Sequence, residues 1–336
     1  MSKEVYILGA GFSYPAKLPL QKDLLHNLLE EKAFEYLEHY ERVERFLETF
    51  FKDNFDLEDI FTILDRAYLY EENYSEYNWM KIFEVRKSLM FLIINLINKK
   101  VTQANEYKDK YTDFIQNLSR NYKNVSVISL NWDTLLENFI KEIEPDVMID
   151  YCFYTYGYND EYHIPHINLK SHGKQNLKIV KLHGSINWLI CPNCQRLIVD
   201  DYEIRSIGIE NVACEHCKNY SNLDIYLENF IITPTILKKF DNLHLKYIWN
   251  NAFIELQEAE EVTFIGYSLP KADYEFLYLL KKVLMNKRIK VILAPTDEKN
   301  SDGQDSDIVK RYKALFENIE FCFMGFQECY KASLHT

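Results

Sequence analysis

The chain has 336 residues, 47% of them hydrophobic, enough for one large domain or two modest ones around a sizeable core. Its formal charge of −12 repels phosphate backbones, which argues against direct nucleic-acid binding, and 9 Gly and 8 Pro beside 25 Tyr and 21 Phe exclude a low-complexity chain. The opening MSKEVYILGAGFSY lacks the apolar stretch and cleavage site of a signal peptide, and the longest apolar run, MFLIINLI at 90–97, is too short to cross a bilayer. A soluble, cytoplasmic protein with no membrane partner is expected.

In chain order, EVYILG (4–9) reads as a buried strand. Residues 20–120 read as four or five helices, with leucines at helical spacing such as Leu24, Leu25, Leu28 and Leu29. The period then changes. NVSVISL (124–130) is a β-branched strand, followed by the helix DTLLENFIKEI, a loop-rich aromatic stretch (151–176) and the strand LKIVKL (177–182). Residues 185–225 hold cysteines and polar loops. Beyond them NFIITP, EVTFIGYS, IKVILAP and IEFCF read as strands, with helices LHLKYIWNNAFIELQEAE, ADYEFLYLLKKVL and DIVKRYKALFEN between them. Strands alternating with helices of this length imply crossovers and a parallel sheet. The expected class is α/β, with a helical insertion and a small metal ribbon.

The cysteines have the most specific spacing. Cys191-x-x-Cys194 and Cys214-x-x-Cys217 are separated by nineteen residues, a zinc-ribbon separation that can place four thiolates tetrahedrally and leave no open coordination position. The expected zinc is structural, and His183, eight residues before Cys191, is not needed as a ligand. In a reducing compartment this pattern favours metal over disulfides, with Cys152, Cys322 and Cys329 left over. His163 and His166 read as loop histidines, since no matching ligand spacing accompanies them.

Several predicted strands end in small or polar residues, where open α/β sheets bind ligands. ILGAGFS runs into a glycine turn whose Gly9 and Gly11 can let the backbone approach a diphosphate; a plain strand-to-helix turn satisfies the same residues, and Tyr14 stands where a third glycine would. ISLNWDTLLE ends a strand at Asn131 and Asp133, although Thr134 and Glu137 also have the spacing of a capping box. His183 follows the strand LKIVKL. FIGYSLPKADYEF supplies Gly266 and Ser268 before a helix capped near Asp273.

Taken together, GAGFS (9–13), NWD (131–133), LHGS (182–185), the two Cys-x-x-Cys pairs and GYSLP (266–270) resemble the sirtuin family and its prokaryotic relatives, in order across most of the chain. The resemblance implies a Rossmann-like NAD-binding domain (1–19, 121–184 and 226–330), a helical insertion (20–120) and a zinc-ribbon module (185–225). It implies that Gly9, Ala10, Gly11, Phe12 and Ser13 hold NAD at its diphosphate and ribose, that Asn131 fixes the nicotinamide ribose and attacking group, and that Asp133 holds the carboxamide. Gly266 and Ser268 would touch the adenosine side. His183 would be the general base, suited to neutral pH by an ordinary pKa of about 6.5.

Where the family's protein deacylases carry an Ala-Gly-Ile-Pro-Asp-Phe-Arg-like loop, this chain reads AKLPLQK (16–22), and Leu130 replaces a glutamine. These departures resemble the NAD-hydrolysing branch of anti-phage defence. The expected activity is NAD⁺ hydrolysis to nicotinamide and ADP-ribose, switched on by homo-oligomerisation or a partner ATPase. An NAD-dependent deacylase and a non-catalytic NAD or ADP-ribose sensor are the alternatives.

Overall fold

In the computed structural model, which describes residues 2–51, 56–159, 164–168, 175–199, 212–235, 237–238, 242–300 and 303–333, the chain enters through strand β1 (Glu4–Leu8). The four-residue helix α1 (Ala10–Ser13) follows directly, and the helices α2 (Gln21–Glu30), α3 (Leu37–Phe50), α4 (Leu57–Tyr70), α5 (Trp79–Gln103) and α6 (Thr112–Arg120) come next. Capping sets their starts. Asp56 and Asp59 form a reciprocal capping box on α4, and Asn78 accepts from Lys81 N–H on α5. Leu89 to Ile94 of α5 are all buried, because α3 and α4 both pack against this helix. The helical block is not insulated from the rest: Leu28, Phe46 and Leu64 share one apolar cluster with Val5, Ile128 and Phe264.

Strand β2 (Val125–Ser129), wholly buried, leads to α7 (Leu135–Ile143) and β3 (Val147–Asp150), which sequence reading did not anticipate. Residues 151–176, expected as loops, contain β4 (Thr155–Asn159) and its antiparallel partner β5 (Ile164–Asn168). His163 lies outside the described residues, and His166 belongs to a strand. After β6 (Gln175–Lys181) the chain turns at once into β7 (Gly184–Ile190), with β8 (Leu197–Val199), α8 (Glu215–Ser221) and β9 (Glu228–Ile231) beyond. The turn needs Gly184: its φ is +73°, and a Cβ would stand 2.0 Å from the Phe230 carbonyl oxygen. This close approach seats β9 antiparallel against β7. NFIITP, expected as one more strand of the alternating series, therefore belongs to a second sheet, ordered β5-β4-β8-β7-β9.

The remaining elements alternate as expected: α9 (Leu243–Glu258), β10 (Glu261–Ile265), α10 (Tyr274–Val283), β11 (Arg288–Ile292), α11 (Asp307–Leu315) and β12 (Ile319–Cys322). A final helix, α12 (Phe326–Ser333), was not expected, and a Cys322–Cys329 disulfide ties it to β12, where sequence reading left both cysteines unassigned.

The main sheet runs β12-β11-β10-β1-β2-β6-β3 with every neighbouring pair parallel. This is the expected α/β, Rossmann-like parallel sheet. The chain passes from β1 to β2, skips one place to the edge strand β3, comes back to β6 between β2 and β3, and later crosses to the other side of β1 through β10. Strand order reverses between β1 and β10, and crevices for ligands open at the carboxyl ends of strands beside such a reversal.

Candidate active site

The turns after β1, β2, β6 and β10 meet at that edge. The first and last are locked backbone to backbone. Gly11 N–H donates to Gly266 O at 2.9 Å, and a Cβ on Gly9 or Gly11 would lie 2.5 Å from Tyr267 Cα or 2.7 Å from Gly266 Cα. The glycines thus serve the meeting of two turns, and the Gly11 N–H is already spent. Phe12 points away from the edge into an aromatic cluster with Tyr111 and Phe326, and its carbonyl accepts from Tyr111 Oη at 2.9 Å. Ala10 and Gly11 remain partly exposed.

Ser13 and Asn131 join the β1 and β2 ends. Asn131 Nδ2 donates to Gly9 O at 3.0 Å and reaches Ser13 Oγ at 3.4 Å, while Ser13 Oγ donates to Asp133 Oδ2 at 3.0 Å. Asp133 Oδ1 accepts from Leu135 N–H at 3.1 Å and so starts α7. The expected capping box does not form: Thr134 makes no side-chain cap and its hydroxyl is buried without a hydrogen bond among the described residues. Glu137 instead pairs with Lys181 Nζ at 2.9 Å, both side chains being buried. Lys181 also donates to Asp133 O at 2.5 Å. Burial raises the pKa of Asp133, and the nearby Lys181 charge partly offsets this.

His183 sits at the end of β6, 9% exposed. Its Nδ1 lies 3.2 Å from Leu130 O and its Nε2 3.4 Å from Asp273 Oδ1. Burial pushes its pKa down to about 4; Asp273 acts to raise it and Lys238 to lower it. The expectation of an ordinary value near 6.5 is corrected accordingly, and the ring is neutral at pH 7.

Asp273 was expected near a helix cap, but its side chain makes no cap bond. It accepts from Tyr267 Oη at 2.7 Å and pairs with Lys238. Burial acts to raise the Asp273 pKa, yet the charge His183 carries when protonated, Lys238 and Tyr267 together hold it below the usual carboxylate range. Lys238 also lines a crevice of about 250 Å³ between α4, α5 and the segment after β9, whose wall includes the ion pair of buried Asp65 with half-buried Arg86. Sequence reading missed Asp273, Tyr267, Lys238 and Lys181 as site members. Only Asp273 and Tyr267 carried a signal, lying within or just after GYSLP. Ser268 is exposed and takes no part in these hydrogen bonds.

The four cysteines form a separate centre. Cys191 and Cys217 sulfurs are 3.6 Å apart, Cys194 and Cys214 sulfurs 3.7 Å, and all four lie within 4.8 Å of one another. A sulfur tetrahedron with bonds of about 2.3 Å to zinc has edges of about 3.8 Å. The donors therefore fit a closed zinc centre, wrapped by Leu189, Ile198 and Leu227 in its own small apolar cluster. His183 is not among the ligating atoms.

No protein-family profile matches the chain, and no curated protein matches its sequence. Among solved structures, a Sir2 homologue–NAD complex is similar at 15% identity and a TM-score of 0.46, covering 97% of this chain and 85% of its own. A structure addressing the mechanism and regulation of Sir2 enzymes gives 14% and 0.43, covering 97% and 88%. A mutant Sir2 homologue–ADP-ribose complex gives 12% and 0.42, again covering 97% and 88%.

Proposed function

We propose that the chain is an NAD⁺ hydrolase that releases nicotinamide and ADP-ribose. The observation that carries this reading is a buried imidazole at the end of β6, at the same sheet edge as Ser13 after β1 and Asn131 and Asp133 after β2. The order of the sequence motifs supports it. The C1′–N bond of NAD⁺ breaks with its electron pair passing to the cationic pyridinium, so nicotinamide leaves neutral and needs no acid. Water oxygen bonds to C1′, and the proton it loses passes to His183 Nε2 and then to solvent. Such a reaction asks for positioning and a base.

The residues divide the work. Asn131, held by its Nδ2 on Gly9 O, keeps an amide oxygen to orient the ribose or the water. Asp133, fixed by Ser13 and Leu135, would accept from the carboxamide. The glycine turn, with Ala10 and Ser13, would carry the diphosphate and ribose, and Gly266 with Ser268 the adenosine side. The cysteine centre would hold zinc and supply structure alone, as a closed site leaves no position for substrate. We further propose the domain boundaries given above, a cytoplasmic role in anti-phage defence, and activation by self-association or a partner ATPase.

The test is nicotinamide and ADP-ribose release from NAD⁺ by the purified protein across a concentration series, alone and with acetylated peptide. Release without peptide, lost in His183→Ala and Asn131→Ala, is the expected result. Release only with peptide, accompanied by deacetylation, would refute hydrolysis in favour of acyl transfer. Full activity in a dilute monomer would refute activation by assembly.

A further inference from the structure

With the ring hydrogen of His183 assigned to Nδ1, toward the Leu130 carbonyl, which can only accept, the lone pair lies on Nε2. That lone pair faces Asp273 Oδ1 at 3.4 Å. Two acceptors opposed in this way gain nothing while the ring is neutral. When Nε2 takes a proton the same pair becomes a charge-assisted hydrogen bond. The carboxylate is shared, however. Lys238 Nζ, itself buried, holds the same Oδ1, and Tyr267 Oη occupies Oδ2. Glu58, in the first turn of α4, also feels the charges of both Lys238 and Asp273.

We propose that Asp273 is the positioning residue that receives the charge His183 gains on accepting a proton, and that Lys238, by holding the same carboxylate oxygen, sets the strength of that response. In the catalytic step one proton moves from the attacking water to Nε2, the ring goes from neutral to cationic, and Asp273 stays ionised throughout. The inference rests on His183 as proton acceptor in the hydrolase reading, but its first readout requires no turnover.

The experiment is an NMR titration of ¹⁵N-histidine-labelled full-length protein, with His183→Gln assigning the resonance, compared with Lys238→Met and Asp273→Asn. Removing Lys238 should raise the His183 pKa by about one to three units, the effect of an unshared carboxylate at this range. Asp273→Asn should lower it, and the acid limb of nicotinamide release should move with the ring in each variant. A His183 pKa unchanged or lowered in Lys238→Met overturns the proposal, whether or not the protein hydrolyses NAD⁺. Should Asp273→Asn fail to fold, Lys238→Met decides alone. A shifted pKa in a protein that releases no nicotinamide supports the Asp273 pairing independently of the hydrolase reading.

Discussion

Gly266→Ala sets a methyl group between the two turns that build the candidate site. Gly266 has φ +61°, and an alanine in left-handed backbone costs about 1–2 kcal/mol. Its Cβ would also stand 2.3 Å from the Gly11 carbonyl carbon and 2.4 Å from Phe12 N. Those are main-chain atoms, fixed by the Gly11–Gly266 hydrogen bond and by the Phe12 ring in its aromatic cluster. Forcing them apart is overpacking, about 1–3 kcal/mol more. The expected loss is therefore about 2–5 kcal/mol in total. Gly303 and Gly325 are the controls: φ is +78° and +80°, with nothing within 4 Å of a Cβ, so alanine there should cost the backbone term alone. Urea denaturation followed by circular dichroism, at matched slopes, measures all three. Under the proposed function, NAD⁺ affinity should also fall in Gly266→Ala, because Gly11 and Phe12 must move. A Gly266→Ala protein no less stable than Gly303→Ala would refute the steric argument.

Keeping His183 neutral contributes stability that is complete above its unfolded pKa of about 6.5 and is lost as pH falls toward 4, a span worth about 3 kcal/mol. Denaturation between pH 7 and 4 should fall more steeply for wild type than for His183→Gln; parallel curves would contradict a buried neutral ring. Glu137→Gln leaves the Lys181 ammonium buried without its carboxylate and should cost about 3–5 kcal/mol, whereas Lys181→Met with Glu137→Leu together should cost less. Equal losses in the single and double variants would show that the pair is not desolvated. Purified protein should carry about one zinc per chain by atomic absorption, as a closed four-thiolate centre requires, and Cys217→Ser should lose it. Stoichiometric zinc retained by that variant would exclude the four-cysteine centre.

Local chemistry was legible where residues close in the chain decide the outcome. The strand periods of 4–9 and 124–130, the helical spacing of 20–120 and the paired Cys-x-x-Cys knuckles each appear in the structure as elements or as one cluster. The glycines of the first turn were also visible, but their duty was not. Only the return of the chain to β10 brings Gly266 within 2.7 Å of where a Gly11 Cβ would stand. The capping box at Thr134 and Glu137 failed for a related reason, since Lys181, forty-four residues later, claims the carboxylate.

Sequence alone thus determined which segments alternate as strand and helix, which cysteines group together, and which polar residues end the strands. Tertiary structure decided the second sheet, because Gly184 turns the chain out of the parallel sheet and β9, which begins forty-seven positions after β6 ends, pairs with β7. It also decided the state of His183. A side chain's pKa depends on what is buried around it, and Asp273, Lys238 and Tyr267 reach that histidine from elements that nothing in its own neighbourhood of the chain foretells.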